Sequence, residues 1–219
     1  LLGRRQRQMC IRDRKMEIFT KYKTVLEEGK SARVVELSKE DNVIAKDLML
    51  LTNKPVIYVC NVDEAAAADG NEHVEALRTA VADENAQVLI VSANTEAEIA
   101  QLESYEDRME FLTDLGLEES GLTRLIQATY SLLNLITYFT AGEKEVRAWT
   151  IKNGYLAPQA AGVIHTDFEK GFIRAEVIKY DNYIHYGSES ACKEAGKMAV
   201  EGKEYLVQDG VFMHFRFNV

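Results

Sequence analysis

Cysteine is scarce in this chain of 219 residues: Cys10, Cys60 and Cys192 are few, odd in number and widely scattered. That spacing excludes a disulfide framework and a zinc site, and it points to a reducing compartment. No apolar run approaches the length of a membrane span and no secretory leader is recognisable, so the expectation is a globular, cytoplasmic chain without a membrane partner. The phosphate-cradling pattern G-x-x-x-x-G-K-[ST] is missing as well: Gly196-Lys197 is followed by Met198 and lacks the upstream Gly, and Gly142 precedes Glu143. Without it the sequence offers no backbone cradle for phosphates and no hydroxyl for magnesium, and neither catalytic nor metal-ligating residues are expected within this stretch. Positive charge is also short, with a net of −9. The deficit lies almost wholly before residue 134, so bulk charge argues for no nucleic-acid partner, and sequence-specific DNA is not expected.

What is present centres on Lys54 to Glu64, KPVIYVCNVDE. Pro55 to Cys60 is a short apolar run rich in β-branched and aromatic residues, the pattern of a strand covered on both faces in a parallel sheet. Asn61-Val62-Asp63-Glu64 follows at once, where an open α/β sheet presents ligands beyond the carboxyl ends of its strands. The Asn61 carboxamide combines an acceptor oxygen with two donor hydrogens. It suits the N6 and N7 edge of adenine or the N7 side of any purine; equally, it could cap the strand-to-helix turn. A carboxylate at the fourth position favours guanine if it reaches N1–H and the 2-amino group. Departure from Asn-Lys-x-Asp at Val62 and Glu64 weakens that guanine reading.

Around this stretch the periodicity predicts two helices first. Met16, Phe19, Tyr22 and Leu26 form one apolar stripe, closed by Gly29; the second follows Ser38, with capping spacing to Asp41, and leads into Ile44, Leu48 and Leu51. Residues 1–14, with Arg4, Arg5, Arg7, Arg12 and Arg14, show no apolar period and read as a leader that is not native sequence, the other reading being a basic RNA-binding arm. After the polar cluster, Val74, Leu77 and Val81 mark a helix within 72–84, and residues 86–91 a second buried strand. The βαβ connection sets both strand ends on one edge, so Ser92 and Ala93 become neighbours of Asn61. A small residue there lets backbone N–H groups approach a flat ring; Ser92 is also an ordinary helix N-cap. Helices fill 95–133, one of them opened by Ser104 and closed by Gly116, the last with a face of Leu122, Leu125, Ile126, Thr129 and Leu133. The acidic cluster at Glu96, Glu98, Glu103 and Glu106 has no ligand spacing and reads as a solvated face.

Near Asn134 the helical pattern gives way to β-type alternation. Residues 146–151 alternate, as does 211–219, with Val211, Met213, Phe215, Phe217 and Val219 on one face. Asp209-Gly210 and Glu201-Gly202 are hairpin turn signals, and one helix over 158–170 covers the strands. This combination suggests a β-grasp, ubiquitin-like module. His165-Thr166-Asp167 invites a catalytic reading, but no nucleophile or second base accompanies it, and a structural histidine is expected.

With these residues in view, the chain resembles the YchF, or Obg-like ATPase, family of the P-loop GTPase superfamily (TRAFAC class, Obg family). The resemblance runs from about Lys15 onward and rests on KPVIYVCNVDE, LGLEESGLTRLI, YFTAGEKEVRAWTI, APQAAGVIHTDFEKGFIRAEVI and EYLVQDGVFMHFRFNV. It implies an α/β fold: the C-terminal part of a P-loop NTPase (G) domain with a helical-insertion remnant, then a β-grasp TGS domain. Residues 15–51 correspond to the end of the insertion, 52–133 to the nucleotide-binding domain and 134–217 to the TGS domain. It implies an ATP-hydrolysing parent, with Mg²⁺ bound by segments outside this sequence, association with ribosomes, and an Asn-x-x-Glu motif that goes with ATP over GTP. Base-binding residues carried over are Asn61, Val62, Glu64, Ser92 and Ala93. Two further readings stay open: a non-catalytic TGS module docking on the ribosome or another protein, and a guanine-specific Obg-like GTPase.

Overall fold

The structure, a computed structural model, describes residues 2–84, 86–142 and 145–218. Val219, Glu143 and Lys144, and the side chains of Arg4, Arg5 and Arg7, lie outside the described residues. The protein is mixed α/β and separates into two compact units, with the division after Ala128.

The first unit opens with helices α1 (Leu2–Glu27) and α2 (Lys39–Lys46). Helix α1 runs through residue 14 without a break, and the Arg14 guanidinium pairs with Glu40 at 3.0 Å and with Asp41. The apolar stripe predicted for α1 is corrected. Ile18 and Tyr22 are buried, against Ala32 and Ala45, while Met16, Phe19 and Leu26 remain exposed. Both stripes satisfy helical spacing; the following segment packs on only one. Ser38 caps α2 as expected, its Oγ accepting the Asp41 N–H at 3.1 Å. The helix stops at Lys46, short of Leu48 and Leu51, and Met49 turns the chain out at φ 48°.

Strand β1 (Ile57–Asn61), helix α3 (Glu72–Ala80) and strand β2 (Gln87–Val91) form a βαβ unit, the strands pairing in parallel with Asn61 opposite Val91. The expectation of a strand buried on both faces fails for β1, where Val59 is 47% exposed. Among the described residues β1 has a single strand neighbour, so half of its surroundings are open. Helices α4 (Ala93–Gln101), α5 (Tyr105–Asp114) and α6 (Gly121–Leu132) complete the unit. Ser104 caps α5 and Gly116, at φ 70°, ends it. The apolar face expected on α6 is overturned in part: Leu122, Ile126 and Leu133 are exposed, and Gly121 and Ala128 are the buried positions.

The second unit is built on a five-stranded sheet of β3 (Leu135–Ala141), β4 (Val146–Lys152), β5 (Phe172–Lys179), β6 (Met198–Glu201) and β7 (Val211–Phe217), in the order β4-β3-β7-β5-β6. Only β3 and β7 are parallel. Asp209-Gly210 is therefore not a hairpin turn. Asp209 Oδ1 accepts the Thr137 N–H at 2.7 Å and Gly210 N–H donates to the Thr137 carbonyl at 2.7 Å, seating β7 beside β3. The single covering helix is also corrected: α7 (Ala157–Ile164) and α8 (Thr166–Lys170) break at His165, and α9 (Tyr180–Tyr186) and α10 (Glu189–Glu194) precede β6. Ala157, Ala160 and Ala161 are fully buried and let α7 approach the sheet, where Tyr138 donates its hydroxyl to the Ala160 carbonyl at 2.9 Å. Gly171 is required by close approach, since a Cβ there would stand 2.0 Å from the Asn218 carbonyl oxygen.

Candidate nucleotide-base site

The parallel register delivers two polar segments to one edge. Asn61 ends β1, and after β2 the chain turns at Ser92 into α4. Val62 N–H donates to the Val91 carbonyl at 2.9 Å, extending the pairing one step past the strands. The Asn61 Oδ1 then accepts the Ala93 N–H at 3.0 Å across 32 positions of sequence. Asn61 is thus both a tether and a candidate reader. Its oxygen secures the first residue of α4, while its amide hydrogens have no partner among the described residues. A purine N7 is an acceptor that such a donor suits, and the oxygen keeps a second lone pair for an exocyclic amine.

Ser92 and Ala93 have different fates. Ser92 is buried, its Oγ accepting from the Thr95 hydroxyl at 2.9 Å and lying 3.5 Å from the Thr95 N–H, which makes it the N-cap of α4. Ala93 is exposed beside Asn61. Val62 is half-buried; Glu64 is exposed in a 3₁₀ turn over Glu64–Ala66, and no hydrogen bond or ion pair among the described residues engages its carboxylate. The structure brings Asn61, Val62 and Ala93 together at the strand ends, sets Glu64 two residues beyond Val62, and turns the Ser92 side chain inward.

Toward the other end of the strand pair, at Tyr58 and the turn before β2, lies a network that sequence reasoning missed. Glu84, in a 3₁₀ turn before β2, accepts from the Tyr58 hydroxyl at 2.7 Å, the Ser31 hydroxyl at 2.8 Å and Arg33 Nη1 at 2.6 Å. Arg33 Nε also donates to the Lys54 carbonyl at 3.2 Å. Tyr58, first of all, then Ser31 and Arg33 hold the Glu84 carboxyl below its ordinary range, against the opposing effect of burial. Glu84 in turn pushes the Tyr58 phenol up. The signal available was the strand tyrosine, whose hydroxyl needs a partner when half-buried. Glu96, read as part of a solvated acidic face, caps another helix instead: its carboxylate accepts the Gly121 N–H at 2.6 Å and the Leu122 N–H at 3.2 Å.

Elsewhere, His165 Nδ1 accepts the Asp167 N–H at 3.2 Å and caps α8, a structural role. Gly196-Lys197 closes α10, with Gly196 at φ 66° and Lys197 N–H donating to the Cys192 carbonyl at 2.8 Å. Among the described residues no group of three or more His, Cys, Asp or Glu is placed to hold a metal, and no helix is long and apolar enough to cross a membrane.

The family model YchF-GTPase_C, described as "Protein of unknown function (DUF933)", matches residues 135–218, and the rest of the chain is similar to proteins that carry the YchF name. Among its relatives, the "Ribosome-binding ATPase YchF" of Bacillus subtilis (strain 168) is 55% identical over 205 residues, covering 93% of this chain and 56% of the relative. The protein of the same name from Haemophilus influenzae is 52% identical over 204 residues, with the same coverage. The solved structure of the Schizosaccharomyces pombe YchF GTPase superimposes with a TM-score of 0.80 at 35% identity, over 95% of this chain and 56% of that one. A GTP-binding protein from Pyrococcus horikoshii OT3 shares the fold, at a TM-score of 0.54 and 17% identity. The chain therefore spans about half the length of the relatives it matches.

Proposed function

We propose that this chain carries the base-recognition half of a YchF-type protein that binds and hydrolyses ATP in preference to GTP and associates with ribosomes in the cytoplasm. On this reading residues 15–51 end a helical insertion, 52–133 are the C-terminal part of the G domain, and 134–217 are a β-grasp TGS domain involved in the ribosomal contact. The observation that carries the proposal is Asn61, whose oxygen anchors Ala93 while its amide hydrogens stay available at the edge of the sheet. Adenine offers N7 to that amide and an exocyclic amine to the oxygen. Val62 supplies apolar contact to the base; Glu64, one methylene longer than Asp, does not reproduce the carboxylate that pairs with guanine. Ser92 contributes by holding Ala93 in place.

On this reading the base contact lies with residues of this chain; among the described residues no group of three or more His, Cys, Asp or Glu is placed to hold a metal, and the sequence has no G-x-x-x-x-G-K-[ST] loop to cradle phosphates. No hydrolytic step is assigned to this chain, and the purified 219-residue protein is expected to release no phosphate from ATP above a protein-free control. The base reading is tested in the longer protein by paired ATP and GTP titrations at fixed Mg²⁺. Val62→Lys with Glu64→Asp is expected to move the ratio toward GTP by roughly 1–3 kcal/mol, about 5- to 150-fold, the scale of one good bidentate base contact. Asn61→Ala weakens both nucleotides. An unchanged ratio in the folded double variant would place base choice elsewhere.

A further inference from the structure

Between α4, α5 and the start of α6 lies a cavity of about 650 Å³ that the base site does not use. Ile99, Met109 and Leu112 line it, with Tyr105 and Leu122 at 71% and 59% exposure. Its size is that of a pocket for a ligand or for bulky side chains of another chain, and large apolar groups left in water there are stabilised by being covered. The wall is rigidly built. Glu96 holds the first N–H groups of α6, and Gly121 leaves no room for a side chain, since a Cβ would stand 2.9 Å from Glu96 Oε1 and 3.0 Å from Val91 Cγ1.

The segment that builds this cavity carries charge of almost one sign, and Glu96, Glu118 and Glu119 line the cavity beside Arg108. From Ala93 to Gly121 there are nine Asp and Glu against one Arg, a net of −8 in a chain whose total is −9. Among the described residues none of these carboxylates meets a cation within ion-pair distance. Arg108 instead donates Nε to the Leu102 carbonyl at 2.9 Å. A field of this sign repels phosphate backbones and anionic lipid, and attracts cations. A bare cation, however, has nothing to set against an apolar wall.

We propose that this cleft docks a basic, apolar-anchored segment of a partner protein: a bulky apolar side chain enters the cavity between Tyr105 and Leu122, and flanking Lys or Arg face Glu118 and Glu119 on its rim. The site is separate from the Asn61 edge and stands whether or not the base reading does.

The test titrates the full chain with a fluorescein-labelled, lysine-rich peptide carrying a central Leu-Phe pair, followed by fluorescence anisotropy. Controls are the same peptide with Gly-Ser for Leu-Phe, its Glu-for-Lys counterpart, and polyuridylate. Binding is expected for the Leu-Phe peptide alone, weakening about tenfold from low to physiological salt as exposed charges are screened. Glu118→Lys with Glu119→Lys is expected to weaken it by about tenfold or more. Leu122→Ser, at an exposed position, removes the wall; Ala100→Trp fills the cavity from another exposed position, and both are expected to weaken binding with the melting temperature kept. Equal binding of the Gly-Ser peptide, tighter binding of polyuridylate, or wild-type affinity in the folded variants would overturn the proposal.

Discussion

The two units answer the same demand, burying apolar surface, in opposite ways. The second closes thirteen buried residues between a five-stranded sheet and α7, with Tyr138 at its centre and Phe215 edge-on to it at 5.8 Å. The first has a two-stranded sheet with Val59, Leu122 and Ile126 exposed, and Glu84 joins its parts through hydroxyl and guanidinium groups. A pair of strands has too little apolar contact to stand by itself. The comparison teaches that where a sheet is narrow, polar tethers such as Glu84, Asn61 and Glu96 set the relative positions of the elements. At the candidate base site the tether is Asn61, and a small displacement of Ala93 matters most there.

The sharpest way to break the comparison is to remove the centre of the second core. Tyr138→Ala deletes a fully buried ring and leaves the Ala160 carbonyl without its donor, an expected loss of about 3–5 kcal/mol. Chemical denaturation followed by near-ultraviolet circular dichroism should show the second unit unfolding first; a loss near zero would mean that the core is far looser than its packing implies. In the first unit the corresponding lever is polar. Glu84→Gln is expected to lower its stability by about 1–2 kcal/mol, because the Arg33 guanidinium loses its charged partner.

Glu84 also carries a pH signature. Its carboxyl is held below the ordinary 4.5, so the folded value lies under the unfolded one. Its contribution is complete above pH 4.5 and is lost as pH falls through the folded value. Melting curves taken downward from neutral pH should decline in that acidic window for the wild-type first unit and flatten in Glu84→Gln; parallel curves would remove Glu84 from the account. The smallest effect belongs to Ser92→Ala, which deletes the cap of α4 and is expected to cost about 1 kcal/mol. Hydrogen exchange at Ala93 and Thr95 should rise in that variant while the amides of β7 are unaffected.

Local order was legible in the sequence because it depends on near neighbours. Ser38, Ser92 and Ser104 cap helices where their spacing to the next polar residue or turn says they should, Gly116 ends one, and the alternation of Val211, Met213 and Phe215 marks the buried face of β7. The βαβ spacing was enough to bring Ala93 to Asn61. Only the tertiary structure decided which of two equally periodic stripes of α1 is buried, that β7 lies between β3 and β5, and that β1 is half open. It alone found the partners of Glu84, 51 positions from Arg33 and 26 from Tyr58, and of Glu96, 25 from Gly121. The reason is physical: a helix cap or a strand alternation is settled within a few residues, whereas burial and charge pairing are properties of whatever packs alongside, and that neighbour is distant in the chain.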